Sequence, residues 1–142
     1  MGLKFLPQRG AIVVCDYSTG FQPPEMVKRR LAVVVSPKLP NRDNLCAVIP
    51  LSTTPPKAGV TYQCRVRMPA DPPAPFEGTE KWAKADMLAT VSCHRLDFLR
   101  IGVDRTTGQR IYYRHTLAAE EMRKIEAALL AGLGLDHLTP KG

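Results

Sequence analysis

Glu25-Met26-Val27-Lys28-Arg29-Arg30-Leu31-Ala32-Val33-Val34-Val35-Ser36-Pro37 sets the terms for the rest of the chain. Leu31 to Val35 is a five-residue apolar run rich in β-branched valine, the pattern of a strand buried on both faces. Lys28, Arg29 and Arg30 stand at its mouth, with the Glu25 carboxylate just ahead. A core strand can hold an arginine rigidly at its rim, and a fixed guanidinium suits bidentate contact with phosphate. Read alone, the same three cations describe a solvated basic patch capping a strand.

Working outward, Arg9-Gly10 leads into Ala11-Ile12-Val13-Val14-Cys15-Asp16, a strand preceded by a turn glycine. Cys46 to Thr54 is a second apolar strand, ending Pro50-Leu51-Ser52-Thr53-Thr54. Thr61 to Met68 alternates, with Tyr62, Cys64, Val66 and Met68 on one face and Arg65 and Arg67 on the other, the signature of a half-exposed antiparallel strand. Pro69 to Gly78, with four prolines, reads as a mobile surface loop. Trp82 to Val91 reads as one strand, Phe98 to Ile101 and Arg110 to Arg114 as two more, and Asp104 to Gln109 as the turn between them. Thr116 is placed to cap a helix in which Ala118, Met122, Ile125, Leu129 and Leu133 recur at helical spacing, with Gly132 and Gly134 ending it. One helix after many short strands predicts a mainly β fold, a small antiparallel barrel closed by a C-terminal α-helix.

At 142 residues the chain is a single domain with room for a hydrophobic core. No apolar run approaches membrane-spanning length, and the N-terminus, lacking a long apolar stretch, reads as a loose arm and not a signal peptide. The formal charge is +7, and residues 1–115 hold all of the excess. That asymmetry suits a polyanion such as nucleic acid, or an acidic protein segment. Cys15, Cys46, Cys64 and Cys93 form no Cys-x-x-Cys pair, and they read as reduced, buried thiols of a cytoplasmic protein. Cys93 with the three histidines matches no zinc template, so no metal and no cofactor is expected.

The order of these motifs resembles the MazF/PemK family, the toxins of bacterial toxin–antitoxin systems. The matching elements are Arg9-Gly10, a strand ending in Asp16, Glu25 in the following loop and Arg30 ahead of the valine-rich strand that ends Ser36-Pro37. Asn41-Arg42, Pro50-Leu51-Ser52-Thr53 and Lys84-Ala85-Asp86 complete the set. No one of them is decisive, but together in this order they are specific, and they span about residues 9–133 of a domain occupying 1–142. The resemblance implies a compact SH3-like barrel, a homodimer, a cognate antitoxin with an acidic tail, and metal-independent cleavage of single-stranded RNA by its own 2′-hydroxyl.

By that resemblance Arg30 is the catalytic arginine, Ser52 and Thr53 the hydroxyls that donate to the scissile phosphate, and Asp86 the carboxylate near the 2′-hydroxyl. Glu25 would orient Arg30 or contact a base. Asp86 stands inside a strand-like run that disfavours aspartate, the kind of misfit that marks function. Lys28, Arg29, Lys57 and Lys84 would bind RNA, with Trp82 stacking a base. Lys84 could act as an acid only with a lowered pKa. The chain departs from the family at Leu31, where proline is usual, at Pro23-Pro24, and in the length of Pro69 to Lys81. A non-catalytic nucleic-acid-binding barrel, or a gyrase-binding toxin of the CcdB type, is the alternative of another class.

Overall fold

The computed structural model describes residues 2–139. Seven strands share one antiparallel sheet: β1 (Ile12–Asp16), β2 (Arg29–Val34), β3 (Leu45–Ser52), β4 (Gln63–Arg67), β5 (Glu80–Lys84), β6 (Ala89–Ser92) and β7 (Leu96–Asp97). Their order is β4-β5-β3-β2-β1-β7, with β6 also on β3. The edge strands β4 and β7 do not pair, so the sheet is not a closed barrel. Strands β8 (Leu99–Val103) and β9 (Arg110–Tyr113) pair only with each other, and helix α1 (Ala119–Gly132) packs against β4.

Alternation along the strands divides the interior into two layers. Ile12, Val14, Leu31, Val33, Ile49, Leu51, Val66 and Ala83 face α1 and meet Met122, Ile125 and Ala128. Val13, Cys15, Ala32, Val34, Cys46, Val48 and Val91 point the other way and are covered by Leu3, Tyr17, Cys93 and Leu96. Strand β2 is therefore buried on both sides, as its valine run predicts.

Four expectations need correction. Trp82 to Val91 is not one strand: β5 and β6 are separated by a 3-10 turn at Ala85–Met87, and Asp86 sits on that turn. The cause lies across the ladder in Pro50. Val35 N–H donates to Ala47 O, so hydrogen-bonded pairs between β2 and β3 fall at every second position, and the register places Pro50 opposite Ala32 at a position facing away from β2. Pro50 thus offers no N–H to the β5–β6 edge, where pairing lapses between Leu51↔Ala83 and Val48↔Ala89. Thr116 is not the helix cap: Ala118 holds that place, while Thr116 bridges to Ala11 and its Oγ1 accepts from Gln8 Nε2 at 2.9 Å. Leu133 is exposed, one residue past a helix whose end is closed by Gly134 at φ +73° and by Leu135 N–H donating to Leu130 O at 2.7 Å. The N-terminal arm is anchored, because Leu3 is buried and its N–H lies 2.8 Å from Leu96 O.

Candidate nucleic-acid interface

Arg30 lies at the start of β2 and Ser52 at the end of β3. The β2–β3 ladder ends at Ala32↔Pro50, and Arg30 and Ser52, each two residues beyond that pair, line one cavity. On the other side of β3, Ser52 pairs with Trp82, and Trp82 with Arg65. Residues opposite one another share a face, so Ser52, Trp82 and Arg65 form a row across three strands, at about 4.8 Å per strand. Where the apolar layer on this face stops, the polar row begins.

The polar side chains are held by their surroundings. Arg30 is half-buried, and its Nε donates to Val27 O at 3.3 Å; it makes no ion pair with Glu25. Ser52 Oγ accepts from the Thr54 N–H at 3.0 Å, which orients the hydroxyl and leaves its proton free to donate. Lys84 and Asp86 do not pair directly. Gln63 links them, its Oε1 accepting from Lys84 Nζ at 3.3 Å and its Nε2 donating to Asp86 Oδ1 at 3.1 Å.

Two cavities flank this arrangement, and their charges are opposite. One, of about 340 Å³, lies at the ends of β2 and β3 and is lined by Arg29, Arg30, Ser52, Thr53, Phe76 and Lys81, among others, with three cations and no carboxylate. The other, of about 440 Å³, lies between the β1–β2 loop and the 3-10 turn; Glu25 and Asp86 line it, and no lysine or arginine does. The structure thus separates the residues the sequence groups together: Arg29, Arg30, Ser52 and Thr53 gather in one cavity, Glu25 and Asp86 in the other. Lys28, exposed at φ +71°, and Lys57, exposed on the β3–β4 connection, line neither.

Sequence reading misses Lys81 and Gln63. Lys81 is only 2% exposed, the one charged residue so buried among the described residues. Its Nζ donates to Phe76 O at 2.7 Å and Glu77 O at 3.0 Å, fastening the proline-rich loop to the cationic cavity. Burial holds its pKa below the usual lysine value, opposed by Asp71 and Glu77. Its alternation with Trp82 is the signal that places it on the inner face. Among the described residues no group of three or more His, Cys, Asp or Glu is arranged to hold a metal ion. Burial pushes the Cys15 and Cys64 thiols up to about 11 and Cys46 to about 12, so these groups are protonated packing residues.

Residues 8–133 match the model of the PemK-like, MazF-like toxins of type II toxin–antitoxin systems. The chain belongs to this family. The chain is similar to YifN of Escherichia coli K12, 30% identical over 152 residues, with 94% of this chain and 95% of that one covered. Among solved structures it is similar to a mycobacterial endoribonuclease in complex with its cognate antitoxin, at TM-score 0.58, 21% identity and coverage of 96% and 100%. MazF of Deinococcus radiodurans superposes at TM-score 0.57, with 18% identity and coverage of 92% and 99%. These solved likenesses establish the fold, a MazF-like antiparallel sheet with one C-terminal helix. No described helix is long and apolar enough to cross a membrane.

Proposed function

We propose that this toxin-family member is an endoribonuclease that cuts single-stranded RNA through the substrate's own 2′-hydroxyl. The observation that carries the reading is that Arg30, Ser52 and Thr53 line one cavity with three cations and no carboxylate. A phosphate seated there would meet the Arg30 fork and the Ser52 and Thr53 hydroxyls, donors that stabilise charge as it develops on the phosphorane. Asp86, exposed on the turn, takes the 2′-hydroxyl proton; the O2′–P bond forms, the P–O5′ bond breaks, and O5′ is protonated from water. The products are a 2′,3′-cyclic phosphate and a 5′-hydroxyl. Lys84, tied to Asp86 through Gln63, and Arg29 contribute charge toward the RNA backbone, Lys28 and Lys57 longer-range attraction, and Trp82 a stacking surface.

The β8–β9 hairpin exposes Ile101, Val103, Ile111 and Tyr112, an apolar surface that favours a second copy of the chain as partner. In this reading a cytoplasmic homodimer holds RNA in a positive groove, and an acidic antitoxin tail competes for it. Incubating the purified protein with a long mixed-sequence RNA in EDTA and identifying the ends tests the chemistry. Cleavage should persist in EDTA and stop when the nucleotide at the cut is 2′-deoxy; cleavage of the 2′-deoxy substrate would overturn it. Light scattering should give twice the chain mass, and a monomer that still cuts RNA would overturn the groove.

A further inference from the structure

A further cavity, of about 360 Å³, opens between the N-terminal arm, the start of β1 and the end of β9. Lys38, Arg114 and His115 line it, and no carboxylate does. The Arg114 guanidinium lies over the rings of Phe98 and Phe5, 4.4 Å and 6.0 Å from their centroids. Contact with a ring narrows the freedom of a guanidinium and leaves its in-plane N–H donors for a ligand. Among the described residues Arg114 has no carboxylate partner at ion-pair distance. His115 packs on the Tyr113 ring, centroids 4.4 Å apart. Thr116 Oγ1 accepts from Gln8 Nε2, which leaves the hydroxyl proton free to donate. Arg114, Lys38 and Phe5 are exposed, so these donors are open to a ligand. The family match begins at residue 8, and Phe5, Leu6 and Pro7 of the wall lie ahead of it.

We propose that this cavity is a second phosphate site, apart from the cleavage cavity, which takes a phosphate monoester: the terminal phosphate of a nucleic-acid strand, or that of a free nucleotide. The proposal goes beyond the endoribonuclease reading and stands without it, because it needs no bond to break. The Arg114 fork can grip two phosphate oxygens at once, Lys38 and His115 add donors from two other directions, and Thr116 adds a hydroxyl. Four donor side chains without an acid among them suit a monoester, with its three terminal acceptor oxygens, better than a carboxylate with two. Neighbouring residues of the chain line the two cationic cavities, Phe98 this one and Leu99 the one that holds Arg30 and Ser52. A strand anchored here by its end is therefore within reach of the other cavity, which favours a strand over a free nucleotide.

The test measures anisotropy with single-stranded oligodeoxynucleotides, which lack the 2′-hydroxyl, each made with and without a phosphate at its 5′ or 3′ end. A terminal phosphate should tighten binding about tenfold, the scale of one charge-assisted contact. Arg114→Gln should remove that difference with far-UV circular dichroism unchanged. Should that variant not fold, Arg114→Lys keeps the charge, loses the fork and should lose most of the difference. Phe5→Ala should shrink it by about two- to fivefold, because a ring that holds the guanidinium is gone. A second arm titrates adenosine 5′-monophosphate and adenosine into the full chain by calorimetry, and only the phosphorylated form should bind. Binding of the monophosphate with no effect of a strand's terminal phosphate would assign the site to free nucleotides, and the phosphate site stands. If RNA is not cut yet the terminal-phosphate preference holds, the nuclease reading falls and this site stands. Indifference to phosphate in both arms, or a preference that both Arg114 variants leave intact, would overturn it. Binding of a glutamate-rich peptide that Arg114→Gln abolishes, with no preference for phosphate, would overturn it in favour of a protein partner.

Discussion

Ser52 and Trp82 face each other across the β3–β5 ladder, and the half-buried indole pairs in turn with Arg65 on β4. The hydroxyl proposed to hold phosphate and the aromatic face proposed to stack a base are thus direct neighbours. Trp82 is the chain's single tryptophan, so its fluorescence reports on RNA directly. Trp82→Ala should weaken single-stranded RNA binding by about 1–3 kcal/mol, roughly fivefold to 150-fold, measured by anisotropy. Unchanged affinity would make the indole a packing residue.

Arg30→Ala should lower cleavage by about a hundredfold or more while far-UV circular dichroism is unchanged, the scale of losing one preorganised transition-state contact. Arg29→Ala should chiefly weaken binding and reduce the slope of log affinity against log salt by about one. Equal, mild effects from both would return Lys28 to Arg30 to a solvated patch.

Gly132 lets the end of α1 approach the turn that bears Asp86. A Cβ there would lie 3.3 Å from Tyr62 Cβ and 3.5 Å from Asp86 Cα. Gly132→Ala should leave thermal stability nearly unchanged, the gain of about 1 kcal/mol in helix propensity offsetting the tighter contact. Gly132→Val pushes the turn and should slow cleavage about tenfold, at a magnitude typical of small misplacements. Full activity in Gly132→Val would show that Asp86 need not be held there.

Stability should fall on the alkaline side. Burial holds the folded-state values of Cys15, Cys64 and Cys46, about 11, 11 and 12, above the ordinary thiol value of 9.0. A raised folded value means that the stability it contributes is complete below pH 9 and is lost as pH rises through 11 to 12, at about 1.4 kcal/mol per pH unit for each thiol. Denaturant titrations between pH 8 and pH 11 check this, and Cys15→Ala should flatten the profile. Rapid alkylation of the native thiols at pH 8 would contradict it.

The strands and the helix are legible because their periodicities are local. β2 announces itself by four consecutive buried apolar residues, and α1 by Met122, Ile125 and Leu129. The row of Ser52, Trp82 and Arg65 is harder, because register is a pairing property that no single segment contains. Family resemblance names Arg30, Ser52 and Asp86, but only the folded chain shows Arg30 and Ser52 lining one cavity and Asp86 another. Asp86 looks misplaced in a strand because the strand breaks there, and the reason, Pro50, lies 36 positions away. Lys81 is partly legible: alternation with Trp82 puts it on the inner face, but its partners are the backbone carbonyls of Phe76 and Glu77, which no side-chain pattern announces.

The break between β5 and β6 has a consequence for how such a chain can diversify. Both strands are registered independently against the same edge of β3, so residues 85–88 hang between two fixed points. Changes at Met87 and Leu88 fall between those anchored strands, whereas Ala85, 1% exposed, belongs to the core. The sheet can therefore keep its register while the surface beside Asp86 varies from one sequence to the next.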